Sequence, residues 1–164
     1  MNRVKHYLKE IAIFVIIMTI FANVISIYKS SDLNNEALKL SSVTLMNNKL
    51  YSFNNNKPIL IHFWATWCPT CKLEASNIET ISKEYNVVTV AVNSGTNREI
   101  QEYLDENDFT FKVVNDQESI YASEFKIAAY PTTFIYDKNR DLVFSEVGYT
   151  STVGLYFRMW WAGM

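Results

Sequence analysis

The chain has 164 residues, enough for one globular domain with a packed core and an appendage. Fifteen Lys and Arg against seventeen Asp and Glu leave a net charge of −2, without the basic excess that marks a nucleic-acid-binding domain. Aromatics at 15%, with only four Gly and three Pro, argue against a disordered or low-complexity chain.

The first element is apolar. Residues 11–28, IAIFVIIMTIFANVISIY, carry no charge and are about as long as a helix that crosses ~30 Å of hydrocarbon. Arg3, Lys5 and Lys9 precede the run, so the positive-inside rule leaves the tail 1–10 in the cytoplasm and the rest of the chain outside it. A transmembrane anchor competes here with a cleaved signal peptide, for which Val24 and Ser26 offer a weak cleavage site. The length of the run and its lack of an A-x-A ending favour the anchor. The polar stretch 29–40 reads as a linker, and 41–164 as the folded domain.

Within that domain, 43–46 and 50–53 flank Asn47-Asn48-Lys49 as a hairpin. ILIHFW (59–64) and VVTVAV (87–92) are short apolar runs of the kind buried on both faces of a sheet. Between them a helix opens at the CPTC segment, with Ile78, Ile81 and Tyr85 on one side. Residues 97–107 form an amphipathic helix around Ile100, Tyr103 and Leu104. A short strand at 111–114 and a short helix at 119–125 follow. Alternation at 132–137 and 142–147 predicts a second hairpin. The last segment places Val153, Tyr156, Phe157, Trp160, Trp161 and Met164 on one helical stripe, expected to pack on the sheet. A second membrane contact through the Trp pair is the competing reading. The order β-β-α-β-α-β-α-β-β-α predicts an α/β domain, a central mixed sheet flanked by helices.

The only cysteines are Cys68 and Cys71. Cys68 falls at the strand-to-helix junction, where free backbone N–H groups and the helix dipole favour a thiolate. Pro69 takes the first helical position, where its missing N–H costs nothing. The two-residue spacing, Pro69-Thr70, brings Cys71 within reach of Cys68. Cys68 is thus expected as the exposed nucleophile and Cys71 as the more buried resolving thiol. A metal site needs more ligands than one CxxC supplies: His6 lies in the cytoplasmic tail and His62 in a buried strand, so no metal is assigned. A purely structural disulfide closing so short a loop stabilises little.

FWATWCPTCK (63–72) followed by AAYPTTFIYD (128–137) resembles the thioredoxin superfamily, and within it the TlpA-like membrane-anchored thiol–disulfide oxidoreductases. GYTSTVGLYFRMWWA (148–162) is similar to the suppressor-of-copper-sensitivity protein D group of that branch. The resemblance implies a thioredoxin fold, a cis peptide before Pro131, and a Tyr130 backbone that pairs with substrate. It implies flanking roles for Trp64 and Trp67, with Trp67, Pro69 and Thr70 at the substrate. Glu74 matches an acidic position that relays protons to the buried thiol; an ordinary solvated helix residue is the alternative. His62 stands where thioredoxins place a buried Asp, and the lysine beside that Asp is missing. It reads either as proton acceptor for Cys71 or as a neutral core residue. Ala129 replaces a common Gly before the proline.

These residues predict a membrane-anchored oxidoreductase on the extracytoplasmic, periplasmic side of the bacterial cytoplasmic membrane, acting on protein thiols and disulfides. No cofactor is required, because the Cys68–Cys71 pair carries the electrons, and a membrane redox partner would recycle it. The TlpA-like resemblance points to reduction, in copper tolerance or cytochrome c maturation. Alternatives are an oxidase of exported proteins, a copper-binding module without exchange chemistry, and a non-catalytic adaptor.

Overall fold

The computed structural model describes residues 7, 9–14, 16–17, 33, 36–53 and 57–164. Of the run read as a membrane span, residues 11–14 and 16–17 are helical and exposed; its remainder lies outside the described residues. Among the described residues no helix is long and apolar enough to cross a membrane. The chain divides into two units at Asp32/Leu33. Leu33 and Leu38, within the stretch read as a linker, are buried in the core of the second unit.

The second unit holds a five-stranded sheet and a two-stranded hairpin. The hairpin pairs β1 (Ser42–Thr44) with β2 (Leu50–Ser52) in antiparallel fashion. The main sheet contains β3 (Ile59–Trp64), β4 (Asn86–Val92), β5 (Lys112–Asp116), β6 (Thr132–Tyr136) and β7 (Leu142–Val147), in spatial order β5-β4-β3-β6-β7. β3, β4 and β5 run parallel, while β6 and β7 are antiparallel to their neighbours. The sheet is therefore mixed, and β3 at its centre is buried along its whole length. That burial explains why ILIHFW is a continuous apolar run and does not alternate.

Side chains alternate between the two faces of the sheet. Leu60, Trp64 and Ile135 join a core with α1 (Pro69–Ser82), α2 (Asn97–Glu106) and α4 (Thr152–Ala162). Ile59, Ile61, Phe63 and Phe134 face the other way, against the hairpin and α3 (Ile120–Glu124). A capping box at Thr96 and Glu99 starts α2, satisfying two otherwise free amides.

One expectation is reversed at α4. Of the stripe from Val153 to Met164 only Tyr156 is half-buried against the core: Val153, Phe157, Trp160, Trp161 and Met164 are exposed, and Leu155, Met159 and Ala162 are buried instead. α4 is apolar nearly all round, so spacing alone offers two stripes. Leu155, Met159 and Ala162 pack into the core shared with α1, and a closely packed core resists the added volume of two indoles. Leu155→Ala is therefore expected to cost about 2–5 kcal/mol in urea unfolding. Trp161→Gln should stay within about 0.5 kcal/mol; the opposite ranking would restore the aromatic stripe to the core.

Candidate active site

Pro69 opens α1, with Cys68 as its N-cap in extended conformation (φ −87°, ψ 114°). The Cys71 amide donates to Cys68 Sγ at 3.2 Å, so the sulfur occupies the place of a capping oxygen and feels the positive end of the helix. Cys68 and Cys71 are joined in a disulfide, with 5.3 Å between Cα atoms. The expected exposed Cys68 is corrected in this oxidised form. Cys68 is 5% exposed and Cys71 2%, so both are buried at the helix start.

Trp67 stands exposed beside the pair. Its indole N–H donates to the Asn93 carbonyl at 3.0 Å, and its ring meets Tyr130 edge-on with centroids 5.7 Å apart. Asn93, at the end of β4, takes a positive φ of 46° and is anchored through Nδ2 to Ser119 Oγ at 2.8 Å. No motif in the sequence points to this support. The Tyr130–Pro131 peptide is cis, and Pro131 is buried. The Pro131 carbonyl accepts from the Gly148 amide at 2.8 Å, tying this loop to the turn before α4. Gly148 has φ +107°, a conformation open to glycine and strained for other residues. Pro69 is exposed and Thr70 partly so at the start of α1.

Glu74, one turn beyond Cys71, is not a solvated helix residue. It is fully buried, and its Oε1 accepts from the Thr150 amide at 3.1 Å. Among the described residues, neither Glu74 Oε2 nor Thr150 Oγ1 has a hydrogen-bond partner. Burial, chiefly, raises the carboxyl to about 8; the Thr150 amide opposes this and the charge of Glu146 adds to it. At neutral pH the group is mostly protonated, close to the ordinary range of a thiol. A carboxyl in this range can give or take a proton near neutral pH at little cost.

His62 is buried, with Nδ1 2.9 Å from Thr133 Oγ1 across the β3–β6 pair. Desolvation lowers it to about 3, so it stays neutral and is a poor proton acceptor. The neutral, hydrogen-bonded core reading of His62 is the one the geometry supports. Among the described residues no group of three or more His, Cys, Asp or Glu could hold a metal ion.

A mixed sheet with a Cys-Pro-Thr-Cys pair at the N-terminus of its first long helix, and a cis-proline whose preceding Tyr130 meets the Trp67 ring, defines a thioredoxin-like oxidoreductase. The chain belongs to the AhpC/TSA family, whose model matches residues 34–145. A thioredoxin-like protein of Haemophilus influenzae is 32% identical over 164 residues, covering 98% of this chain and 97% of that protein. The thiol-disulfide oxidoreductase ResA of Oceanobacillus iheyensis is 34% identical over 90 residues, or 52% of this chain and 47% of that one; this chain thus matches about half the length of that relative. In fold it is similar to the crystal structure of StoA from Bacillus subtilis, with a TM-score of 0.66 and 20% identity over 75% of this chain and 98% of the other. The chain is an enzyme of the thiol–disulfide oxidoreductase class.

Proposed function

We propose that this protein is held in the bacterial cytoplasmic membrane by residues 11–28 and reduces protein disulfides on the extracytoplasmic side. The observation that carries the reading is the Cys68–Cys71 pair at the α1 N-cap, with a buried, proton-holding Glu74 one turn behind it. The uncharged run after Arg3, Lys5 and Lys9 supports the anchor and its orientation. The likeness to TlpA-like proteins supports the reducing direction, with substrates among thiols kept reduced for copper handling or cytochrome c maturation.

The reaction needs only the two sulfurs. A Cys68 thiolate attacks one sulfur of the substrate disulfide; that S–S bond breaks, and the departing substrate thiolate takes a proton. Cys71 then passes its proton to the fraction of Glu74 that is ionised, and attacks Cys68. The mixed disulfide breaks, the second substrate sulfur leaves as a thiolate that takes a proton from solvent, and the Cys68–Cys71 bond forms. Two electrons have moved to the substrate. A membrane partner returns them, and Glu74 then supplies the proton for the Cys71 sulfur. Tyr130 and Trp67 line the approach to Cys68, where an extended substrate segment would lie along the Pro131 loop.

The test is acid trapping of thiols in growing cells, followed by alkylation and gel shift of the carbonate-washed membrane fraction. A mostly reduced pair in that fraction is expected. A pair that is oxidised, and that becomes reduced when a quinone-linked partner is deleted, would make the protein an oxidase instead. Recovery in the soluble fraction would overturn the anchor.

A further inference from the structure

The face of the sheet under α1 and α4 is apolar except for one polar row. His62 on β3, Thr133 on β6 and Glu146 on β7 are register partners across three neighbouring strands. The row ends in an ion pair that the redox motif does not explain: Arg158 Nη2 on α4 lies 2.7 Å from Glu146 Oε2, with both side chains about three-quarters buried. The guanidinium also sits over the Phe144 ring, 6.0 Å from its centroid. Room for it exists because residue 154 has no side chain. A Cβ at Gly154 would come within 2.8 Å of Arg158 Nη1. The same segment supplies the Thr150 amide that holds Glu74.

We propose that Arg158 is a positioning residue for the exchange reaction: seated in the gap at Gly154, it neutralises Glu146 and thereby governs when Glu74 gives up its proton to, or takes it from, the Cys71 sulfur. This rests on the reading of Glu74 given above. Glu146 is the charged neighbour that disfavours ionisation of Glu74, and Arg158 is its one salt-bridge partner among the described residues. Of the other titratable groups on or just after α1, Glu79 is held by Thr110 and Lys83, and Glu84 accepts from the Tyr156 hydroxyl of α4. Cys71 is the reaction partner itself, His62 is kept neutral by burial, and the Tyr149 hydroxyl accepts from Asn77 Nδ2. A pair held this closely acts over a short range, so removal of either half leaves an unbalanced charge beside Glu74.

The two halves of the pair must therefore act in opposite directions, which a merely structural role would not produce. The experiment titrates the buried carboxyl of the full chain by infrared difference spectroscopy, with the band assigned by its loss in Glu74→Gln. Glu146→Gln is expected to move the Glu74 midpoint down by about one pH unit, and Arg158→Gln to move it up by a similar amount. The double variant should fall between the two, and Arg158→Lys, which keeps the charge, should lie nearest the wild type. The pH profile of disulfide exchange should follow the same order. Shifts of the same sign in both single variants, or no shift in either, overturn the proposal. Wild-type protein that fails to exchange disulfides at any pH would instead overturn the reading of the site, while the infrared shifts still decide the role of Arg158.

Discussion

Cys71→Ser will accumulate as a mixed disulfide with its substrate through Cys68, and Cys68→Ser will reduce exchange to the uncatalysed background. The asymmetry follows from position. Cys68 caps α1 and draws on its free amides and dipole, so it attacks first. Cys71, buried three residues before the buried Glu74, is the proposed resolving thiol. Without Cys71 the first step still runs, but no second sulfur displaces the substrate. Non-reducing gels of each full-length variant, with mass spectrometry of the trapped species, read the result. Trapping through Cys71 in Cys68→Ser, with none through Cys68 in Cys71→Ser, would exchange the two roles. The trapped partner would also identify a substrate directly.

The oxidised protein will be most stable on a plateau between about pH 4.5 and 6.5, and two buried groups set its edges. Glu74 is raised from 4.5 to about 8, so between those values the unfolded chain releases a proton that the folded protein keeps. Stability contributed by this group is present at low pH and is lost as pH rises to 8. His62 is lowered from 6.5 to about 3. Below 6.5 the unfolded chain binds a proton that the folded protein refuses, and stability is lost as pH falls to 3. Between 4.5 and 6.5 the two slopes oppose and cancel. From 6.5 to 8 only Glu74 acts, and at about 1.4 kcal/mol per unit the loss is roughly 2 kcal/mol. Glu74→Gln keeps an oxygen for the Thr150 amide and should flatten this alkaline arm in urea unfolding. An alkaline arm unchanged in Glu74→Gln would show that Glu74 does not hold its proton.

Much of the fold is legible along the chain. The burial of β3 and β4 follows from runs of Ile, Leu and Val with no polar alternation, and their boundaries fall close to those expected. CPTC at a strand-to-helix junction states its chemistry locally, because an N-cap, a proline at N1 and a two-residue spacing involve only neighbours in sequence. The AhpC/TSA membership and the oxidoreductase class agree with that local signal.

What sequence periodicity could not decide is where two equivalent choices existed. α4 has apolar residues on nearly every side, and only packing in the tertiary core selected Leu155 and Met159 over Trp160 and Trp161. Glu74 looks like any charged helix residue until Thr150, 76 positions later, closes over it and removes its water. Asn93 supports Trp67, and Arg158 meets Glu146, through contacts between separate elements, with no spacing rule to announce them. The sequence by itself determined the sulfur chemistry and the strand and helix order, because both rest on local geometry and hydrophobic pattern. The tertiary structure alone decided which groups are dry, and desolvation is what gives Glu74 and His62 their protonation states.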